Sequence, residues 1–163
     1  MVAVLMSNPR RSEFDLSSIR LLSCGGSSLA PDVIETAVTS LNCDFFMDYG
    51  MTECSGHICI SLLPSGPLRE LPLAERISLN AMSGLPFNGM DVRVVTPQSP
   101  GAAEDGLEED DTMIACDGAA VGEVVVRGDT VFAEYWRNPT ATKESRLAAS
   151  DGGGNFANGA IHK

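Results

Sequence analysis

Short apolar runs alternate with a helical stripe in the first half of the chain. Residues 19–24 form an apolar run that ends at Gly25 and Gly26, which predicts a buried strand followed by a tight turn. Pro31 suits a first helical turn, and the apolar residues after it recur at helical spacing: Val33, Ile34, Ala37, Val38 and Leu41. A second apolar run, residues 44–49, predicts another strand. The order strand, helix, strand predicts a parallel pair with a right-handed crossover and hence an α/β fold.

The apolar pattern changes after about residue 85. Residues 90–95 and 122–128 are alternating or β-branched runs without a helical stripe between them, which predicts antiparallel strands of a small sheet or barrel. The long connection 96–121 is rich in Pro, Gly and acidic residues and is predicted to be a mobile insertion. Asn138 and Pro139 predict the start of another helix. We therefore expect an α/β part, residues 1–85, followed by a β-barrel-like part, residues 86–163.

Composition and charge narrow the class of protein. The 163 residues are 44% apolar and 20% charged, which is typical of a folded globular domain. Lys and Arg number 11 and Asp and Glu number 22, and the net charge of −11 disfavours a protein that binds nucleic acid by broad charge attraction. Much of the acidic excess lies in residues 104–111, and like charges so closely spaced are typical of a solvated loop.

The cysteines and the apolar runs bear on the cellular compartment. The 5 cysteines form no CxxC pair and the chain shows no secretory leader, so we expect reduced thiols in an intracellular protein, cytoplasmic or peroxisomal. There is no run of about 20 apolar residues, and we expect neither a signal peptide nor a transmembrane segment. A zinc site built from Cys54, His57 and Cys59 stays open as an alternative, although it needs a fourth ligand.

Residues with ligand-binding chemistry follow both predicted strands of the α/β part. The first strand leads into Gly25, Gly26 and Ser27, and the second ends in YGMTE, residues 49–53. Open parallel sheets bind ligands beyond the carboxyl ends of their strands. Glycines let backbone amides approach a ligand, tyrosine offers a flat ring, and glutamate offers an oxygen ligand for Mg²⁺. These residues suit a nucleotide. An ordinary glycine turn and a tyrosine packed at a sheet edge are the alternative that spacing leaves open.

The segment DYGMTECSG, residues 48–56, resembles the YGMTE motif of the adenylate-forming enzymes, the AMP-binding (ANL) superfamily of acyl-CoA synthetases. Three further segments resemble the same family in the same order: residues 15–34, 84–95 and 122–145. The resemblance therefore covers nearly the whole chain. Methionine at position 51 favours the CoA-ligase branches, 4-coumarate-CoA ligase-like enzymes among them, over the adenylation domains of peptide synthetases.

The resemblance implies both an architecture and a reaction. The architecture is a parallel sheet flanked by helices and followed by a small antiparallel, barrel-like subdomain, present here as an incomplete central piece of the family's large N-terminal domain. The reaction joins a carboxylic acid to AMP from ATP with Mg²⁺, after which coenzyme A captures the acyl-adenylate as a thioester. The identity of the acid is not determined by these residues.

The same resemblance assigns roles to the residues that match the family's motifs. The adenine would be framed by Gly25, Gly26 and Ser27. The nucleotide-binding set continues through Asp48, Tyr49, Gly50, Met51 and Thr52, with Tyr49 stacked on the adenine. The implied catalytic residues are Thr52, which approaches the α-phosphate, and Glu53, which holds Mg²⁺. The implied acyl-pocket residues are Asp48, Ser55 and Gly56.

Two residues near the motif leave two interpretations open. Asp48 faces a pocket and pairs with a polar or amino-bearing substrate, or it is a strand-end acid bonded to backbone amides. His57 lies near the same side of the motif, where it is either a base or, as is commoner for a single histidine, a structural residue.

The resemblance fails near the carboxyl end. In the family's ribose-binding segment an aspartate grips the ribose hydroxyls, and Ala160 stands at that position here, with Asn155 at the position of a tryptophan. The family's phosphate loop would lie upstream of Met1, and the lysine of its C-terminal domain downstream of Lys163. We therefore expect the chain alone to be catalytically incompetent, with the activity belonging to a complete acyl-CoA synthetase. The alternative is a non-catalytic remnant that binds a nucleotide or a protein.

Overall fold

The computed structural model of the chain describes residues 1–63, 66–96, 114 and 117–146, together with the backbone of residues 157–159. The helices of these residues are α1 (Val2–Met6), α2 (Pro31–Leu41), α3 (Pro67–Glu70), α4 (Leu73–Asn80) and α5 (Pro139–Glu144). Their strands are β1 (Leu21–Gly25), β2 (Asp44–Met51), β3 (Gly56–Ile60), β4 (Leu85–Pro86), β5 (Met90–Val95), β6 (Glu123–Gly128) and β7 (Ala157–Gly159). Short 3₁₀ helices lie at Pro9–Glu13 and Thr52–Cys54.

The chain divides into two compact units. The first comprises Met1–Met51 and Gly56–Phe87, and the second comprises Thr52–Ser55 and Asn88–Lys163. The motif is therefore divided between the two units, because the residues up to Met51 belong to the first unit and Thr52–Ser55 belong to the second.

The first unit is built on a mixed sheet with the strand order β1-β2-β3-β4. β1 and β2 are parallel, with Leu21 opposite Asp44 and Gly25 opposite Asp48, which confirms the predicted strand–helix–strand pair. β3 runs antiparallel to β2, and β4 antiparallel to β3. The parallel pair thus lies in a sheet that is mixed as a whole, because residues 52–55 between β2 and β3 are too few for the crossover that a parallel neighbour needs.

An apolar core joins two helices to the sheet of the first unit. Its buried members are Ile34, Phe45, Met47 and Ile77, from α2, β2 and α4. The stripe predicted for α2 faces this core, since the buried residues of that helix are Ile34, Ala37 and Leu41. Burial of apolar surface stabilises a fold by about 25 cal/mol per Å². This core is therefore the main support of the strands that lead to the motif.

Polar contacts orient α3 and α4 in the first unit. Ser61 Oγ donates to the carbonyl oxygen of Asn80 at 2.8 Å, next to the end of α4. Asp44, at the start of β2, pairs with Arg69 of α3 and, at 3.5 Å, with Arg76 of α4. Exposed ion pairs of this kind each contribute about 1 kcal/mol or less. They set the direction of the helices, while the apolar core supplies most of the stability.

The second unit contains an antiparallel sheet with the strand order β5-β6-β7. β5 and β6 pair along their whole length, from Met90 opposite Gly128 to Val95 opposite Glu123, which confirms the predicted antiparallel pair. Three consecutive residues of β6 are buried: Val124, Val125 and Val126. Neighbouring side chains of a strand point to opposite faces, so β6 is buried on both faces as the central strand.

α5 begins where the sequence predicts, since Asn138 Oδ1 accepts from the N–H of Ala141 at 3.1 Å and Pro139 occupies the first turn. Some sequence predictions fall outside the described residues. These are the acidic run 104–111, most of the insertion 96–121, and the ribose-segment positions Asn155 and Ala160. Within the described ranges, no helix has both the length and the apolar character that crossing a bilayer requires.

Candidate functional site

The glycine turn after β1 and the aspartate before the motif tyrosine lie side by side in the first unit. Gly25 is opposite Asp48 in the parallel pair. A Cβ atom at position 25 would overlap the Asp48 carboxylate, so glycine allows the two strands to keep this side chain between them. Gly26 has a φ of +80°, in the left-handed region that favours glycine. Gly25, Gly26 and Ser27 are exposed, which leaves their backbone accessible to a ligand.

The first half of the motif belongs to the sheet. Tyr49, Gly50 and Met51 complete β2, which runs two residues beyond its predicted end at position 49. The pairing of β2 with β3 shifts register between Tyr49 and Gly50. Gly50 lies directly against the backbone of Gly56, where a Cβ atom would overlap the carbonyl oxygen. The motif glycine is therefore a packing requirement of the antiparallel pair, and Tyr49 remains half-buried beside it.

Asp48 and His57 form a carboxylate–imidazole pair in the first unit. His57 Nδ1 lies 3.5 Å from Asp48 Oδ1, with 52% of the histidine side chain and 18% of the aspartate side chain exposed. The imidazole also lies 5.4 Å from the ring of Phe87, centroid to centroid. The structure places the carboxylate of Asp48 between Gly25 and His57. No local sequence pattern predicted this pair, because Asp48 and His57 meet only through the antiparallel pairing of β2 with β3.

The second half of the motif is bound to a distant segment of the second unit. Glu53 accepts through Oε1 from the hydroxyl of Tyr135 at 2.6 Å, and its carbonyl oxygen accepts from the N–H of Phe132 at 2.7 Å. Ser55 Oγ donates to the carbonyl oxygen of Thr130 at 2.9 Å. Ser55 has a φ of +57°, so the turn after the motif is held in a conformation that few non-glycine residues adopt. Sequence reasoning missed Tyr135, which lies 82 residues from Glu53.

The phenol of Tyr135 keeps its proton at neutral pH. Its hydrogen bond to the Glu53 carboxylate is the main cause of a raised pKa, and desolvation and the negative charge of Glu53 raise it further. Tyr135 is therefore a neutral hydrogen-bond donor toward the Glu53 side chain at neutral pH.

Cys54 lies within the motif turn but is chemically inert. It is 1% exposed, and burial, followed by the negative charge of Glu53, raises the pKa of its thiol to about 11. A thiol in this state is a poor nucleophile and a poor metal ligand. In the part of the chain that the structure describes, no three His, Cys, Asp or Glu side chains form a group that could hold a metal ion. The zinc alternative therefore has no support in the geometry.

The buried thiols predict a loss of stability at alkaline pH. Burial raises the pKa of Cys43 and Cys59 as well as that of Cys54. The unfolding free energy that these protonated thiols contribute is fully present below pH 9, the pKa of a thiol in the unfolded chain. It is lost above that pH because the unfolded chain releases protons that the folded chain retains. For Cys54 alone we expect a loss of about 2 kcal/mol between pH 9 and pH 11. Urea unfolding with a reductant at pH 8.5 and 10.5 measures it. An equal loss in Cys54→Ala would contradict this assignment.

A cavity in the first unit lies away from the motif. Its volume is about 350 Å³, and it is lined by Arg11, Ser12, Phe14, Leu16, Ser17, Ser40, Leu41 and Asn42. The last three of these precede the start of β2, whereas the motif follows its end. This cavity therefore does not mark the site that the motif predicts.

The residues present suit a magnesium–nucleotide complex in their donor chemistry. Glu53 is half-buried and its carboxylate is fixed by Tyr135 through one oxygen. Proteins usually hold Mg²⁺ with one or two carboxylates together with substrate phosphates and water, so one fixed glutamate is a suitable protein ligand. The side chain of Thr52 is exposed and carries a hydroxyl, a group that can donate to a phosphate oxygen.

Known proteins with similar sequences include CoA ligases, feruloyl-CoA synthases and atromentin synthetases. The family model described as AMP-binding enzyme matches residues 1–136. A long-chain-fatty-acid–CoA ligase of Haemophilus influenzae is 29% identical over 140 residues, which are 86% of this chain and 20% of that protein. A feruloyl-CoA synthase of an Amycolatopsis species is 29% identical over 148 residues, 88% of this chain and 24% of that protein. The chain thus spans between about a fifth and a quarter of the length of these relatives.

The solved structure of a long-chain-fatty-acid-CoA ligase from Archaeoglobus fulgidus has the same fold. It matches with a TM-score of 0.65 and 20% sequence identity, over 96% of this chain and 27% of that chain. The mixed sheet with its flanking helices and the separate small antiparallel sheet therefore correspond to part of that ligase.

Proposed function

This chain belongs to the AMP-binding enzyme family, and from that premise we propose that it carries the nucleotide site of an AMP-forming acyl-CoA synthetase. The proposal rests above all on the placement of Gly25 beside Asp48, where two parallel strands end next to the motif. Ligands of such sheets bind beyond these ends. The complete enzyme would join a carboxylic acid to AMP with release of pyrophosphate. It would then transfer the acyl group to the thiol of coenzyme A.

Residues at the carboxyl ends of β1 and β2 would bind the adenine. Gly25, Gly26 and Ser27 would present backbone groups to the edge of the base, and the ring of Tyr49 would stack on its face. Exposure of the glycine turn and the half-buried position of Tyr49 support these roles. Gly50 would keep Tyr49 in place through its contact with the backbone of Gly56.

Thr52 and Glu53 would bind the phosphates and their metal ion. Thr52 would donate its hydroxyl to the α-phosphate, and Glu53 would hold Mg²⁺ bound to the nucleotide. The ion, when bound, supplies positive charge against the phosphate oxygens. The hydrogen bonds that Glu53 receives from Tyr135 and Phe132 support this role, because they fix both its side chain and its backbone before any ligand arrives.

The acyl pocket would include Asp48, Ser55 and Gly56. The carboxylate of Asp48 already has the imidazole of His57 as a neighbour, so it would present a paired rather than an isolated charge to a substrate. This pairing supports a substrate acid that carries a hydrogen-bonding substituent, since a purely apolar chain would desolvate both groups without replacing their bonds to water.

The activity would belong to a longer protein than this chain. We propose that residues 1–163 alone do not release pyrophosphate from ATP, because the phosphate loop and the lysine expected of the family are not among them. We also propose the division at residues 85–86 as the boundary between the α/β part and the barrel-like part. A reducing compartment, cytoplasm or peroxisome, is supported by the free thiols of Cys24, Cys43, Cys54 and Cys59.

Calorimetric titration of the chain with ATP and Mg²⁺ tests the nucleotide site. We expect saturable binding that falls about tenfold or more in Tyr49→Ala, since a base stacked on an aromatic ring contributes about 1–3 kcal/mol. Glu53→Ala should lose a similar factor through loss of the metal ligand. Trp136→Phe is the control, because Trp136 is 82% exposed and has no role in the proposed site. If the wild-type chain shows no saturable binding, the proposal is wrong.

A non-catalytic remnant is the second candidate, and the alanine at position 160 is the observation that favours it. An alanine provides no acceptor for the ribose hydroxyls that an aspartate would bind. The same titration separates the candidates. Binding that both motif variants lose supports a retained nucleotide site, whereas no binding leaves a protein-binding remnant.

A further inference from the structure

Tyr135, in the segment between β6 and α5, is hydrogen-bonded to the motif glutamate. Its hydroxyl donates to Glu53 Oε1 at 2.6 Å across 82 residues of sequence. The neighbouring N–H of Phe132 donates to the Glu53 carbonyl oxygen at 2.7 Å. A short bond of this kind from a neutral donor to a carboxylate is stronger than a bond between two neutral groups.

The phenol is itself held from two sides. The ring of Phe132 contacts the ring of Tyr135 edge-on at 4.7 Å between centroids. The N–H of Tyr135 donates to Thr142 Oγ1 at 3.0 Å, and Thr142 lies in α5, which Asn138 caps. The position of the hydroxyl is thus set by a ring contact and a capped helix. These contacts within the second unit hold the hydroxyl of Tyr135 toward Glu53.

We propose that Tyr135 is a positioning residue, which holds the Glu53 carboxylate in the orientation that binds the Mg²⁺ of a nucleotide complex. This inference rests on the proposed function. A carboxylate has about four lone-pair directions, and the bond from Tyr135 engages Oε1, so Oε2 has lone pairs of its own with which it can bind a metal ion. A lysine or arginine in the same place would neutralise the charge that attracts Mg²⁺. A phenol restricts the carboxylate without that cost, as donors to metal-ligating groups commonly do.

The first test asks whether Tyr135 and Glu53 are coupled at all, without any ligand. Urea unfolding is measured for Tyr135→Phe, for Glu53→Ala, which leaves no acceptor for the phenol, and for the double variant. The two single substitutions both break the same bond, so we expect the double variant to lose about three- to tenfold less in its folding equilibrium constant than the product of the single losses. Strictly multiplicative losses would overturn the inference, because they would mean that the two side chains do not interact.

The second test asks whether the bond serves the metal. The affinity for ATP is measured by calorimetry once in Mg²⁺ and once in EDTA. The affinity in Mg²⁺ divided by the affinity in EDTA gives the effect of the ion. We expect Tyr135→Phe to reduce this ratio about tenfold while the affinity in EDTA stays unchanged. Thr142→Val, which loosens Tyr135 without touching Glu53, should give a smaller loss of the same kind. Trp136→Phe removes the neighbouring indole, which is 82% exposed, and should change neither value.

The outcomes distinguish this inference from the proposed function. If the wild-type chain binds ATP with Mg²⁺ and Tyr135→Phe has an unchanged ratio, the positioning role is refuted and the nucleotide site stands. Equal weakening with and without Mg²⁺ also refutes it, since that is the effect of a purely structural side chain. If the wild-type chain binds no nucleotide, the proposed function fails and the inference falls with it.

Discussion

Replacing Gly50 by alanine should cost about 3 kcal/mol or more of unfolding free energy. The new methyl group would overlap the carbonyl oxygen of Gly56 and crowd the backbone of His57, and both are strand backbone that cannot rotate away. Relief therefore requires β2 and β3 to separate, at the point where their register already shifts. Since Tyr49 precedes this contact directly, nucleotide binding should be lost together with the stability.

Urea unfolding followed by circular dichroism measures the effect, and Gly25→Ala is its matched control. The same methyl group at position 25 meets the side chain of Asp48, which can rotate, whereas at position 50 it meets backbone. We expect Gly25→Ala to cost about 1 kcal/mol, in the usual range of single substitutions. Equal losses in the two variants would show that the backbone contact of Gly50 is not the cause.

Replacing Phe45 by alanine should destabilise the chain by about 3–5 kcal/mol. Phe45 is 2% exposed and packs with Ile34, Met47 and Ile77, which join α2 and α4 to the sheet. The substitution removes a large apolar surface from the core and leaves a cavity that neighbouring side chains on three elements cannot all fill. For a chain of this size, a loss of this magnitude lowers the midpoint of thermal unfolding by about 10 °C.

Thermal unfolding of Phe45→Ala is compared with that of Phe14→Ala. The side chain removed is identical, but Phe14 is 61% exposed, so its loss should cost less than about 1 kcal/mol. If the two variants unfold at the same temperature, the core around Phe45 does not support the first unit as described here.

The two halves of the motif depend on different parts of the chain. Asp48, Tyr49 and Gly50 are placed by the sheet of the first unit, through their pairing with β1 and β3. Glu53 is placed by Phe132 and Tyr135 of the second unit. Substitutions that weaken adenine binding and substitutions that weaken metal binding are therefore expected in different regions of the sequence.

The elements that sequence reasoning located are those with a strong local pattern. The stripe of α2, the apolar runs of β1 and β2, and the β-branched runs of β5 and β6 all lie within a residue or two of their predicted bounds. β3, α3 and α4 were not predicted. β3 is five residues long and begins with exposed Gly56 and His57, so its apolar pattern is too short to be recognised alone.

Local order along the chain was enough to determine the α/β pair, the antiparallel strands, and the family to which the glycine turn and the YGMTE segment belong. The helix and the strands follow from periodicity, which acts over a few neighbouring positions, whereas the family follows from the resemblance of the YGMTE segment and its neighbours to a known motif. Only the tertiary structure decided that Asp48 pairs with His57, that Gly50 packs against Gly56, and that Glu53 is held by Tyr135. These contacts join residues across strand reversals or 82 positions apart, and no local interaction specifies which side chains meet after such a distance.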